Sequence, residues 1–227
     1  MADMLLRRII EHLKTQNWTA VGLDLAIVIV GVFVGTQVSN WNQARIGRED
    51  VAQLRSALIG ELADDRARWE YMIDGDRCTL TRLDALDRWL TTAPPAGRLS
   101  GSFPILALNL HSSSWDLAKT NAAMARMPLE ERLTYASLYA ALENWRELLR
   151  NEVSNTQTIA AMLETANRPE NRRQIAALLS RARSLVRFRQ ASSPYIIRRF
   201  DQLGVRPDVR TLVGAIDPQE LCEPLTN

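Results

Sequence analysis

From Ala20 to Val38 the chain reads AVGLDLAIVIVGVFVGTQV, nineteen residues of which only Asp24, Thr36 and Gln37 are polar. At ~1.5 Å rise per residue such a run makes about 28 Å of helix, close to the ~30 Å hydrocarbon thickness of a bilayer. Trp18 and Trp41 bracket it. On one helix they stand about 34 Å apart, which puts an indole at each headgroup level, with Asn40 and Asn42 beside the second. Residues 20–40 are therefore expected to cross a membrane. A buried core helix of a soluble protein would tolerate Asp24 better. A cleaved signal peptide is disfavoured, because no A-x-A-like site follows the run and an acid inside it is unusual.

Before the run, Leu5, Leu6, Ile9, Ile10 and Leu13 recur at helical spacing among Arg7, Arg8 and Lys14. Residues 1–19 thus read as a short basic amphipathic segment suited to an anionic leaflet. Arg45, Arg48 and Arg55 follow the span, so basic residues flank it almost equally and orient it weakly. The short basic segment in front, as in a signal anchor, favours a cytoplasmic N-terminus and a periplasmic C-terminal domain. Within the span, Asp24, Gly31 and Gly35 fall within about 40° of one another at 100° per residue, and Ser39 lies a little further round. This small-residue stripe with one acid is the expected interaction face, since an ionisable group in a span faces protein or water and G-x-x-x-G lets backbones approach.

The segment from Leu25 to Asn42, containing IVIVGVFVGTQVSNWN and preceded by Asp24, resembles a widespread family of bacterial membrane proteins of uncharacterised function. Its members carry an acid-containing apolar helix with a Q-x-N-N-W-N-like exit and then a charged helix. Here the exit is Gln37-Val38-Ser39-Asn40-Trp41-Asn42, with Ser39 in place of one Asn. Ser114-Trp115-Asp116 is similar to a helix start found mid-chain in such proteins. The resemblance implies a single-pass inner-membrane protein and brings no catalytic residues.

Beyond Asn42 the pattern stays helical. Val51, Leu54, Leu58 and Leu62 share one stripe, as do Leu80, Leu83, Leu86 and Leu90, with Gly75 a candidate break between them. Thr91 to Pro104 reads as a loop, and Ser113-Ser114-Trp115-Asp116 as a capping box. Pro128 suits the first position of a long helix through Leu133, Leu142, Trp145, Leu149, Val153, Ile159 and Leu163, with Glu130 and Glu131 in its first turn. Asn167-Arg168-Pro169 ends it. A further helix carries Ile175, Leu178, Leu179, Ala182, Leu185 and Val186 until Pro194 interrupts the pattern. The chain is thus expected to be all-α, a transmembrane helix followed by a helical bundle over 41–206, with an irregular tail over 207–227.

Candidate chemistry is sparse. His111 beside Ser112, Ser113 and Ser114 suggests a helix cap before it suggests a nucleophile. Asp64-Asp65 and Glu130-Glu131 read as solvated helix faces. Cys78 and Cys222 fit no metal or C-x-x-C spacing and are expected to be free, with one disulfide as the alternative in an oxidising compartment. Twenty-six of the twenty-eight basic residues are Arg, which reads as GC-rich codon usage before it reads as a partner. Charge is segregated: residues 49–90 hold ten acids and six arginines, whereas 168–210 hold eleven arginines and three acids. The two segments can pack together. Most of the arginines fan around their helix, against a nucleic-acid groove. Arg189 instead lies amid the Leu178, Ala182 and Leu185 face, so it needs an acidic partner or a bound anion. The expectation is a membrane-anchored binding or scaffolding module, with an accessory subunit of a membrane complex as the alternative and an enzyme a distant third. Expected partners are membrane lipid and either a second copy or other membrane subunits, with no cofactor, no metal and no nucleic acid.

Overall fold

The computed structural model describes residues 18–92, 109–215, 217, 218 and 222. The amphipathic segment over 1–17 and most of the predicted loop lie outside the described residues. Among those described there are no strands. Helix α1 spans Trp18–Thr91, α2 Ser113–Ala118, α3 Ala122–Arg126, α4 Leu129–Leu163 and α5 Pro169–Gln202, followed by a 3-10 turn at Val209–Leu212. The chain divides into two compact units, residues 1–50 and 51–227.

In the first unit the described residues form one uninterrupted helix. None of its most apolar eighteen residues is buried. Leu23, Ile27, Val30, Phe33 and Val38 are each 59–63 % exposed. By length and composition this helix can cross a membrane.

In the second unit three long helices share a single periodicity. On α1 the buried stripe includes Leu58, Leu62, Asp65, Trp69, Met72, Asp76, Leu83, Leu86 and Leu90, with Glu61, Tyr71 and Cys78 buried beside it. On α4 it includes Tyr135, Leu138, Leu142, Trp145, Leu149, Glu152, Thr156 and Ile159, with Tyr139 buried beside it. On α5 it is Ile175, Leu179, Ala182, Val186, Arg189, Ser193, Ile196 and Phe200. Spacings alternating between three and four residues define a 3.5-residue seam, the pattern of coiled-coil packing. Ion pairs and hydrogen bonds give the directions. Arg55–Glu131, Glu61–Tyr139 and a shared partner for Asp76 and Glu152 run α1 parallel to α4. Arg66–Asp201, Trp69–Ser193, Asp76–Arg189 and Asp84–Arg183 run α5 antiparallel to α1. The acidic and arginine-rich segments do pack together.

The apolar core has two parts. One gathers Leu58, Leu62, Trp69 and Met72 with Leu138, Leu142, Trp145, Leu149, Ile196 and Phe200. The other gathers Leu83, Leu86 and Leu90 with Ile159, Ile175, Leu179 and Val186. Trp69 and Trp145 meet edge to face at 5.0 Å in the first, a favoured aromatic geometry.

Four local expectations need correction. Gly75 does not break α1: a glycine costs a helix only ~1 kcal/mol, and the buried stripe continues on both sides of it. Pro194 does not end α5 either. It removes the N–H that Gln190 would bond, yet Ser193, Ile196 and Phe200 stay on the buried stripe, and that burial carries the helix on to Gln202. Pro128 is the residue before α4, one position earlier than expected, with Glu130 and Glu131 in the first turn. The tail is not wholly irregular, since Val209–Leu212 is a 3-10 turn held at Asp208, whose N–H donates to Ala63 O at 3.0 Å.

Cys78 and Cys222 are joined in a disulfide, Cα to Cα 4.5 Å, which overturns the expectation of free thiols. Pairing across 144 residues leaves no spacing signature, and only the antiparallel return of α5 brings the tail back to α1.

Candidate functional site

The unusual chemistry of the helical domain lies on the buried face of α1, where acids interrupt the apolar seam. Glu61, Asp65 and Asp76 are all buried there. Reading Asp64-Asp65 as a solvated pair is therefore wrong for Asp65, which the 3.5-residue seam turns inward.

Glu61 and Asp65 receive the segment that begins at His111. Glu61 Oε2 accepts from Ser113 Oγ at 2.7 Å and from the Ser114 N–H at 2.8 Å, while Oε1 accepts from Tyr139 Oη at 2.9 Å. The expected capping box thus works differently. Ser112 is the N-cap without a side-chain bond to the helix backbone, and a carboxylate from α1 supplies the acceptor instead. Burial would raise the Glu61 pKa, but the bonds from Ser114, Ser113, Tyr139 and Trp115 outweigh it and hold it below the ordinary range. Asp65 accepts the His111 N–H at 2.8 Å and has Arg68 at 3.5 Å. Burial dominates there and pushes its pKa up to about 7. Tyr139 is pushed up too, by burial and by the adjacent Glu61, so it remains a donor.

His111 closes this cluster. Its Nδ1 lies 2.9 Å from Arg68 Nη1, and a guanidinium only donates, so the ring is neutral with Nδ1 accepting. Desolvation and Arg68 lower its pKa, consistent with that form. Arg146 donates to His111 O at 3.0 Å and to Ser112 Oγ at 2.9 Å. The imidazole is turned to Arg68, and the Ser113 hydroxyl is committed to Glu61. What these groups do is clamp the 111–118 segment onto α1 and α4.

Three turns further along α1, Arg189 is buried between two acids. Its Nε donates to Asp76 Oδ1 and Oδ2 at 3.0 and 3.2 Å, and its Nη2 to Oδ1 at 2.5 Å. Its Nη1 donates to Glu152 Oε2 at 2.7 Å. Relative exposures are 0 % for Asp76, 2 % for Arg189 and 7 % for Glu152. Burial lowers the Arg189 pKa, but Glu152 and Asp76 together outweigh it and raise it. On α4 and α5 the triad falls between the two parts of the core, after Leu149 and before Ile159, and after Val186 and before Ile196, while on α1 Asp76 lies near the end of the first part, between Met72 and Cys78.

In the first unit Asp24, Gly31, Gly35 and Ser39 are exposed on α1, and a Cβ built at Gly31 or Gly35 meets nothing within 4 Å. Trp18 is the first residue of α1, and Asn40, Trp41 and Asn42 are exposed at the polar exit. There the side chains satisfy one another: Gln43 Nε2 donates to Ser39 Oγ and Arg45 Nη2 to Asn42 Oδ1, each at 3.4 Å.

Among the described residues, no cluster of three or more His, Cys, Asp or Glu side chains is arranged to hold a metal ion. No protein-family model, no curated protein and no solved structure matches the chain.

Proposed function

We propose that the chain is a membrane-anchored helical binding or scaffolding protein of a bacterial inner membrane, crossing once and holding its helical domain in the periplasm. The carrying observation is the apolar stretch of α1, whose side chains are exposed among the described residues and whose length matches the thickness of a bilayer. Lipid is the environment that removes such a surface from water at no cost to the backbone, whose groups are all bonded within the helix. The Cys78–Cys222 disulfide supports an oxidising compartment for the domain, since such bonds persist in the periplasm and rarely in the cytosol. The likeness of the Asp24–Asn42 segment to the bacterial membrane family favours the same site. Lipid and a second copy of the span, or the span of another subunit, are the partners this reading requires.

A second reading, an accessory subunit of a larger membrane complex, is favoured by Asp24. An acid inside a span is stabilised by protein or water around it, and the open Gly31 and Gly35 stripe on the same face admits a neighbouring helix. Membrane fractionation with alkaline carbonate tests the anchor, and release of the intact chain would refute it. An enzyme reporter active only after export, fused after Asn227, tests the topology. An inactive fusion beside a fluorescent cytoplasmic one would reverse it. Co-elution after gentle detergent extraction separates self-association from a hetero-complex.

A further inference from the structure

We propose that the Asp76–Arg189–Glu152 layer is a proton-binding site, in which the buried Asp76 takes up one exchangeable proton in mildly acidic surroundings and so tightens the packing of α4 and α5 on α1. Two ionised carboxylates and one guanidinium leave one uncompensated negative charge inside a packed seam, and such a charge is strongly disfavoured there. One proton removes it.

The hydrogen bonds show where that proton sits. Asp76 Oδ1 accepts from both Nε and Nη2 of Arg189, whereas Oδ2 takes only the longer branch of the Nε bond at 3.2 Å. Glu152 Oε2 holds Nη1 at 2.7 Å, whereas Oε1 has Nη2 at 3.5 Å, the limit of a bond. The weakly engaged oxygens, Asp76 Oδ2 and Glu152 Oε1, have lone pairs to spare. The solvent proton adds at Asp76 Oδ2, at the expense of only the longer Nε branch, and the bonds of Arg189 to Asp76 Oδ1 and Glu152 Oε2 stay in place.

Every helix of the seam contributes one member. The charged groups acting on Asp76 are Arg189 from α5, which favours ionisation, and Glu152 from α4, which opposes it. Those acting on Arg189 are the same two acids. With burial the largest influence, Asp76 is pushed up to about 6. The sign follows. The folded chain binds its proton at a pH where the unfolded carboxylate, with a pKa near 3.8, does not. Stability therefore rises as pH falls through 6 toward 4, and is lost as pH rises through 6.

The test is thermal unfolding of the detergent-solubilised full chain between pH 4.5 and pH 8 on the order of half a unit apart, for the native sequence, Asp76→Asn, Glu152→Gln and, as a control, Asp65→Asn. The native chain should melt higher at the acid end. Asp76→Asn should flatten the part of that dependence centred near pH 6, and Asp65→Asn should leave that part in place. Slopes unchanged by both Asp76→Asn and Glu152→Gln would overturn the proposal. If a variant fails to fold, the side-chain carboxyl carbon resonance of Asp76 in the native chain decides. A titration of Asp76 near pH 6 supports the site, and Asp76 titrating below about pH 4.5, in the ordinary range, would refute it.

Discussion

Replacing Cys222 by Ser opens the disulfide at its exposed end and leaves the buried Cys78 in its place. The bond closes a loop with a sequence separation of 144 residues. In the chain-entropy model a loop of that length restrains the unfolded ensemble by about 5 kcal/mol at 25 °C, while native disulfides commonly contribute about 2–4. Each kcal/mol moves the melting temperature of a domain this size by roughly 2–4 °C, so a fall of roughly 5–15 °C is expected. The native tail keeps other attachments, which is why the fold itself should survive: Asp208 N–H to Ala63 O at 3.0 Å, and Arg68 Nη2 to Thr211 Oγ1 at 2.7 Å. The assay is circular-dichroism melting of the full chain in detergent, with and without a dithiol reductant. Reductant should lower the native melting temperature to that of Cys222→Ser and leave the variant unmoved. Alkylation in intact cells gives the chemical check, with both thiols protected until reduction. Full labelling of Cys78 and Cys222 without reductant, together with a melting shift under about 2 °C, would refute both the tether and the oxidising compartment inferred from it.

Arg189→Ala should destabilise the domain by about 3–5 kcal/mol, because it leaves Asp76 and Glu152 buried without their cation, and unchanged melting would contradict the buried triad. Asp65→Asn keeps an acceptor for the His111 N–H and removes a charge whose pKa is pushed up to about 7; it should stabilise the chain at pH 8 and do little at pH 4, as read by melting. Gly31→Ile with Gly35→Ile should reduce span association in a membrane two-hybrid reporter, whereas the same change at Val30 and Val34, off the stripe, should not; equal behaviour of the two pairs would remove the proposed face.

Much of the architecture is legible from periodicity. The stripe at Val51, Leu54, Leu58 and Leu62, the long helix through Leu142 and Leu149, and the inward placement of Arg189 all follow from apolar residues recurring at helical spacing. Gly75 and Pro194 mislead because propensity is local, worth one to a few kcal/mol, while the burial on either side is collective. Asp65 is misplaced for a related reason. Adjacent acids look solvated until the Leu58-Leu62 stripe is carried forward at alternating intervals of four and three, which lands on Asp65, Trp69, Met72 and Asp76. That signal is present in the sequence. The disulfide, the Glu61 cap and the partners of Arg189 depend on which helices run parallel, and no single-chain pattern states that.

The buried triad also governs how the three helices are aligned lengthwise. A seam of repeating apolar residues tolerates sliding, since one Leu packs against another nearly as well as against the first. Asp76 faces Arg189 across antiparallel α1 and α5. Sliding α5 by one heptad, about 10 Å, would set Arg189 against Leu83 or Trp69 and leave Asp76 against Ile196 or Ala182. Each alternative strands an unpaired charge among apolar side chains at a cost of several kcal/mol. Two carboxylates and one guanidinium therefore act as a keyed notch in an otherwise repetitive seam, and they fix the helix register that the leucines leave open.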